Sequence, residues 1–158
     1  MPPLPILVVD DDPGVVEAVT RARDWVAPSR PVMLLPQEEI VGDYLRDSAR
    51  AGRCPSVIIL RINDRHSDAF KCARWIRSQP APIGTAWLVL LTDRKSVDVI
   101  GVAQLVVGSE AGADGLSATV SIALEATLER DPGAVPHVGR EKLGIDASIK
   151  RLTSGSFP

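Results

Sequence analysis

A chain of 158 residues with 45% apolar content can bury one sizeable core, and its length suits a single domain. Its charges nearly cancel at a formal net of −2, with no block of like sign, which removes bulk electrostatic binding to nucleic acid or an anionic membrane from the expected functions. Cys54, Cys72, His66 and His137 share no metal-ligand spacing, so no zinc site is expected and reduced thiols suit the cytosol.

The sequence opens MPPLPILVVDDD, with no basic region ahead of the apolar run and three aspartates cutting it short. The expectation is a cytoplasmic protein without a leader or a membrane span. Residues 6–9 (ILVV) form the first predicted strand. Behind it Asp12 stands as N-cap and Pro13 at the first helical position, ahead of Val15, Val16, Val19, Ala22 and Val26 at helical spacing. Residues 32–35 give a second strand, followed by a helix through Ile40, Val41, Tyr44, Leu45 and Ala49 that ends near Gly52. Residues 57–60 and 87–91 give the third and fourth strands, with a helix through Phe70, Ala73 and Ile76 between them that stops before Pro80. All four strands are apolar at every position, the pattern of parallel strands covered on both faces.

Beyond the fourth strand, residues 96–110 read as a helix through Val99, Ile100, Ala103 and Val106 or Val107, and residues 115–118 as a fifth strand. A last helix follows through Val120, Ala123, Leu124 and Leu128. From Asp131 the chain turns to Asp-Pro-Gly and polar residues, which sets a domain over 1–130 and a linker or tail over 131–158. In that tail Leu143, Ile145, Ile149 and Leu152 make at most a brief amphipathic turn or two.

Alternating strands and helices predict an α/β sandwich with a parallel sheet, right-handed crossovers and a ligand crevice beyond the carboxyl ends of the strands. Asp10, Asp11, Asp12, Arg61, Thr92 and Thr119 are the residues expected to converge there.

The segments ILVVDDDP (6–13), PSVIILRIN (55–63), LLT (90–92) and EAGADG (110–115) together resemble the receiver domain of bacterial response regulators over residues 5–130. The resemblance implies a flavodoxin-like, doubly wound sheet of five parallel strands in the order 2-1-3-4-5. It also implies a phosphorylation site: an acidic pair holding Mg²⁺, an acceptor aspartate after the third strand, a hydroxyl after the fourth and a lysine after the fifth. Matched residue by residue, Asp10 and Asp11 take the acidic pair, Asn63 the carbonyl of the metal shell and Thr92 the hydroxyl. Arg61 falls on the acceptor, Thr119 on the lysine, Val120 on the proline that usually follows it, and Leu116 on the strand-five aromatic that switches with phosphorylation.

A guanidinium stays protonated and has no lone pair able to attack phosphorus, so Arg61 excludes acyl-phosphate formation at its position. Asp10, Asp11 and Arg61 together carry −1, against −2 for the family's three carboxylates and lysine, a poorer site for a hard dication. Mg²⁺ binding is therefore expected to be weak or absent, with Arg61 turned inward onto Asp10 or Asp11 in its place. The alternative orientation takes Arg61 outward, toward Asp64.

The expected function is that of a pseudo-receiver: a phosphorylation-independent protein-interaction module in two-component-type signalling, not an enzyme and without a cofactor. Its partners would be signalling proteins, or a second copy through the face of the fourth and fifth helices. Two competing readings follow from the same residues. One is a phosphorylatable receiver with a non-standard acceptor, such as Asp64 or Asp68, though both are better read as solvent-facing or helix-capping. The other is a small Mg²⁺-dependent aspartyl phosphatase, since Asp10-x-Asp12 with Thr92 is similar to two motifs of haloacid-dehalogenase-type enzymes. That family's later lysine and acidic pair have no clear counterpart here.

Overall fold

Alternate residues of a strand point to opposite faces, and in this chain both faces are covered. Ile6, Val8, Ile59, Val89 and Leu91 pack into one core, while Leu7, Val9, Ile58, Leu60, Leu88 and Leu90 pack into another on the far side of the sheet. A computed structural model describes residues 3–62, 68–92 and 101–130.

The chain runs β1 (Ile6–Val9), α1 (Pro13–Val26), β2 (Val32–Leu35), α2 (Val41–Arg50), β3 (Val57–Ile62), α3 (Asp68–Ser78), β4 (Trp87–Thr92), β5 (Leu105–Gly108) and α4 (Gly112–Ala126). Short 3₁₀ turns at Glu38–Ile40, Ser109–Ala111 and Leu128–Arg130 complete the path. All strand pairs are parallel, as the alternation of strands and helices predicted, and the order is β2-β1-β3-β4-β5, as the receiver resemblance implied. Helices α1 and α4 cover the first core through Val15, Val19, Val120 and Leu124; α2 and α3 cover the second through Val41, Leu45, Ala73 and Ile76.

Two expectations need correction. The fifth strand is Leu105–Gly108 rather than residues 115–118, which lie inside α4, and the expected helix over 96–110 is broken by that strand. Residues 93–100 lie outside the described residues, as does the tail over 131–158. The run Leu105-Val106-Val107 alternates buried, exposed, buried, a period of two that a short apolar stretch does not separate from helical spacing. Leu116, Val120, Ala123 and Leu124 are the buried face of one continuous helix instead. Second, β2 is not covered on both faces: it forms a sheet edge, and Met33 and Leu34 are exposed. Trp87 begins β4, about 16 Å of strand rise from that strand's carboxyl end.

Two arginines absent from the sequence reading fasten the sheet's ends. Arg30 is fully buried and donates from Nε to the Leu4 carbonyl at 3.0 Å, from Nη1 to Thr127 Oγ1 at 3.2 Å and from Nη2 to Ser56 Oγ. It joins the chain ahead of β1 and β3 to the end of α4. Arg77 donates to the carbonyls of Gly84, Ala86 and Val102 and to Gln104 Oε1, which also accepts the Leu88 N–H. Gln104 thereby clamps the start of β5 against β4 and α3.

Burial pushes the thiols of Cys54 and Cys72 from 9.0 up to about 11, with the Glu38 carboxylate adding to the effect at Cys72. A raised acid favours the folded state in its neutral form, so the stability contributed is present below about pH 9 and lost as pH rises through about 11. Urea titrations across that window should show a decline that Cys54→Ala makes shallower. Leu124→Ala should lower the unfolding free energy by about 2–5 kcal/mol in the same assay, because the side chain is fully buried.

Candidate functional site

The first strand ends in three aspartates, and each carboxylate is used differently. Asp10 Oδ1 accepts the backbone N–H of Asp12 at 3.0 Å, a local Asx-type turn that points its other oxygen toward β3. Asp12 Oδ1 accepts the N–H of Gly14 at 2.8 Å and caps α1, while its carbonyl takes the N–H groups of Val15 and Val16. Asp11 is exposed.

Arg61, the fifth residue of β3, turns inward across the strand ends. Its Nε donates to Asp10 Oδ2 at 2.9 Å, and Nη2 reaches Asp12 Oδ2 at 3.5 Å. The two contacts are unequal, since the Asp10 side chain is 6% exposed and that of Asp12 53%. Asp10 is therefore the partner that holds the guanidinium, in a partly desolvated setting where charge-assisted bonds strengthen. Asp12, expected from sequence both at the cap of α1 and at the crevice, supplies a second, weaker contact.

Thr92 ends β4 and is buried, and its neighbour in register on β5 is Gly108. The residues at the end of β5 are thus Gly108, Ser109 and Glu110, none of them basic. A Cβ on Gly108 would collide with the Glu110 carboxylate, which folds back over that position. Thr119, expected at this point, lies one turn and more inside α4, where Oγ1 donates to the Gly115 carbonyl at 2.9 Å. Leu116 likewise belongs to α4 rather than to a strand. The displacement of both has one origin: the tripeptide Gly112-Ala113-Asp114, read as the marker before strand five, is the first turn of the helix that follows it. The apolar run Leu105-Val106-Val107 ahead of a Gly-Ser-Glu turn was the signal that could have located β5.

Asn63 and Asp64 lie outside the described residues. Asp68 is exposed in the first turn of α3, opposing that helix's dipole.

A cavity of about 260 Å³ opens beside Arg61 and Thr92, between the ends of β4 and β5 and the first turns of α1 and α4. Its walls are mainly Val15, Leu91, Val107 and Leu116. So Leu116 does border the crevice, from a helix.

The receiver resemblance implies Mg²⁺, and the residues here do not fit it. Both oxygens of Asp10 are engaged, one by a backbone N–H and one by a guanidinium that brings its own positive charge to the strand end. Among the described residues, no group of three or more His, Cys, Asp or Glu side chains could hold a metal ion.

No family model matches the sequence, and no curated protein matches it. Solved structures do. The phosphorylated cyanobacterial phytochrome response regulator RcpA aligns at 19% identity and a TM-score of 0.63, covering 82% of this chain and 99% of that one. A response regulator in its Mn²⁺-bound form aligns at 15% identity and a TM-score of 0.60, covering 85% and 99%. The bacteriophytochrome response regulator RtBRR aligns at 20% identity and a TM-score of 0.58, covering 96% and 93%. The likeness is one of fold: the chain has the receiver architecture. Among the described residues, no helix is long and apolar enough to cross a membrane.

The Asp10 and Arg61 pair should be measurable as a coupling. A double-mutant cycle with Asp10→Ala and Arg61→Ala, followed by urea unfolding, is expected to give about 1–3 kcal/mol of interaction energy. Asp11→Ala, on the exposed neighbour, should change stability by less than about 0.5 kcal/mol.

Proposed function

We propose that this chain is a pseudo-receiver: a receiver-fold module that signals through protein contacts and does not accept a phosphoryl group. The observation that carries the reading is Arg61 at the carboxyl end of β3, bonded to Asp10 at 2.9 Å. In the receiver pattern the residue at that point is a carboxylate that attacks the phosphodonor. A guanidinium supplies no attacking lone pair. The lack of a lysine at the end of β5 supports the same reading, since nothing there would neutralise a phosphoryl group. Because Leu105, Val106 and Val107 fill β5, no aromatic ring is available on it for a rotamer switch.

The same geometry argues against an aspartyl phosphatase. A nucleophilic carboxylate needs an oxygen directed at phosphorus, and both oxygens of Asp10 are already accepting hydrogen bonds. The module is accordingly not an enzyme. Its partners are signalling proteins, and the edge strand β5 forms part of the contact face, on the side of the sheet opposite α4. Support for that surface comes from Val106, an apolar side chain 46% exposed on an edge strand. The same surface would pair two copies.

Incubation with Mg²⁺ and acetyl phosphate, read by intact mass, tests the central claim. No phosphate-sized gain is expected, and a stable gain would defeat the reading. Light scattering at rising protein concentration tests the second. Val106→Lys should hold the chain monomeric under conditions where the parent self-associates, with less than about 0.5 kcal/mol change in stability.

A further inference from the structure

We propose that the outer edge of β2 docks an extended, uncharged apolar segment of a partner protein, which adds to the sheet as a further strand. The inference rests on the pseudo-receiver reading in one respect: that reading puts contacts between copies at the opposite edge, β5, which leaves β2 to a different chain.

Among the described residues, β2 pairs on one side only, with β1. The Ile6 N–H donates to the Pro31 carbonyl at 2.8 Å, and Ile6 stands opposite Val32 in the register. In a parallel ladder this turns the backbone groups of Pro31, Met33 and Leu35 toward β1 and those of Val32 and Leu34 outward. The outward row is bounded at both ends. Arg30 donates its N–H to the Ala27 carbonyl at 3.0 Å, and its own carbonyl accepts from Arg23 Nη1 at 3.1 Å. Pro36, at the other end, has no N–H. Val32 and Leu34 therefore present two N–H groups and two carbonyls, about 7 Å apart along the edge, which alternate residues of an incoming strand can bond.

The side chains select what that strand carries. Residues 31–37, Pro-Val-Met-Leu-Leu-Pro-Gln, hold no charge, so a charged segment would be desolvated against them without a counter-charge. Leu34 is 49% exposed on the face that α1 covers and Met33 39% exposed on the face that α2 covers, so this edge is apolar on both sides of the sheet. In β5, by contrast, Val106 is exposed while Leu105 and Val107 are buried, so that edge presents an apolar side chain on one face. A cavity of about 310 Å³ lies beside Met33, bounded also by Pro5, Tyr44 and Ala51, with Asp47 and Arg53 of opposite charge on its lining. An incoming residue opposite Met33 points to that same face, where an aliphatic side chain fills the cavity. Its two neighbours in the segment fall beside Val32 and Leu34 on the other face. The chemistry that fits is three consecutive apolar residues in an extended, uncharged stretch, and covering Met33 and Leu34 supplies the driving force.

The test titrates the full chain with the blocked peptide acetyl-Thr-Val-Leu-Val-Thr-amide, followed by two-dimensional amide NMR and hydrogen exchange. Binding should be saturable and should slow exchange at the Val32 and Leu34 amides at least about tenfold, while those of Met33 and Leu35, already turned to β1, change little. The same peptide with both valine nitrogens methylated, or with aspartate in place of its leucine, should bind at least about tenfold more weakly. Leu34→Lys, at an exposed edge position, should weaken the peptide about tenfold with an unchanged melting temperature. The proposal is overturned by the lack of saturable binding, by slowed exchange at Met33 and Leu35 in place of Val32 and Leu34, by either altered peptide binding as tightly as the parent, or by Leu34→Lys leaving the affinity intact. Slowed exchange at Val32 and Leu34 with rising protein concentration alone would assign the edge to a second copy and overturn it as well. The two readings fail separately. A mass gain from acetyl phosphate would remove the pseudo-receiver reading, while an unphosphorylated chain blind to the peptide would remove only this one.

Discussion

A guanidinium at the end of an internal strand has to be neutralised where it stands, and much of the crevice follows from how that is done. Arg61 is only partly exposed, and β3 lies between two other strands, so the guanidinium sits among the strand ends. Asp10 meets it at 2.9 Å from the adjacent strand. Because Asp10 also accepts the Asp12 N–H, the same carboxylate fixes the turn into α1 and orients the cation. Local backbone geometry and long-range charge pairing meet on a single side chain.

That arrangement puts an internal ion pair where the receiver pattern has a metal and a phosphoryl group. In the receiver pattern, the charge balance of the crevice changes whenever the acceptor is modified. Here Arg61 and Asp10 supply part of that balance from protein atoms. On the proposed reading, such a module would present a constant surface rather than one gated by phosphate. The Glu110 carboxylate over Gly108 adds to the difference, placing an acidic group where the pattern expects a lysine.

Away from the crevice, stability is shared between two apolar layers and a few buried polar anchors. Among the described residues, each face of the sheet is covered by two helices, and the alternation of inward residues keeps both cores continuous. Arg30 and Arg77 close the sheet's weak points, one binding the amino ends of the strands to the end of α4, the other securing β5 against α3. Their donors go mostly to carbonyls and hydroxyls, so these cations act as multi-point staples. Truncating either would leave several buried acceptors unmatched.

The amino-acid sequence by itself determined the first four strands, the first three helices, the parallel sheet and the presence of a cation at the end of the third strand. Those features rest on local signals: Asp12 and Pro13 announce α1, and uninterrupted β-branched runs announce strands buried on both faces. Only the tertiary structure decided the rest. Residues 105–107 satisfy a strand or a helix equally well over so short a span, and it is the edge of β4 that selects the strand. With β5 placed there, the lysine position moves from Thr119 to the end of β5, and Leu116 becomes a helical wall of the cavity. The exposure of β2 came from its place in the sheet order, and the choice of Asp10 over Asp11 from the turn that aims only one carboxylate inward. Periodicity reports how much of a segment is buried, but which neighbour buries it is a property of the assembled sheet.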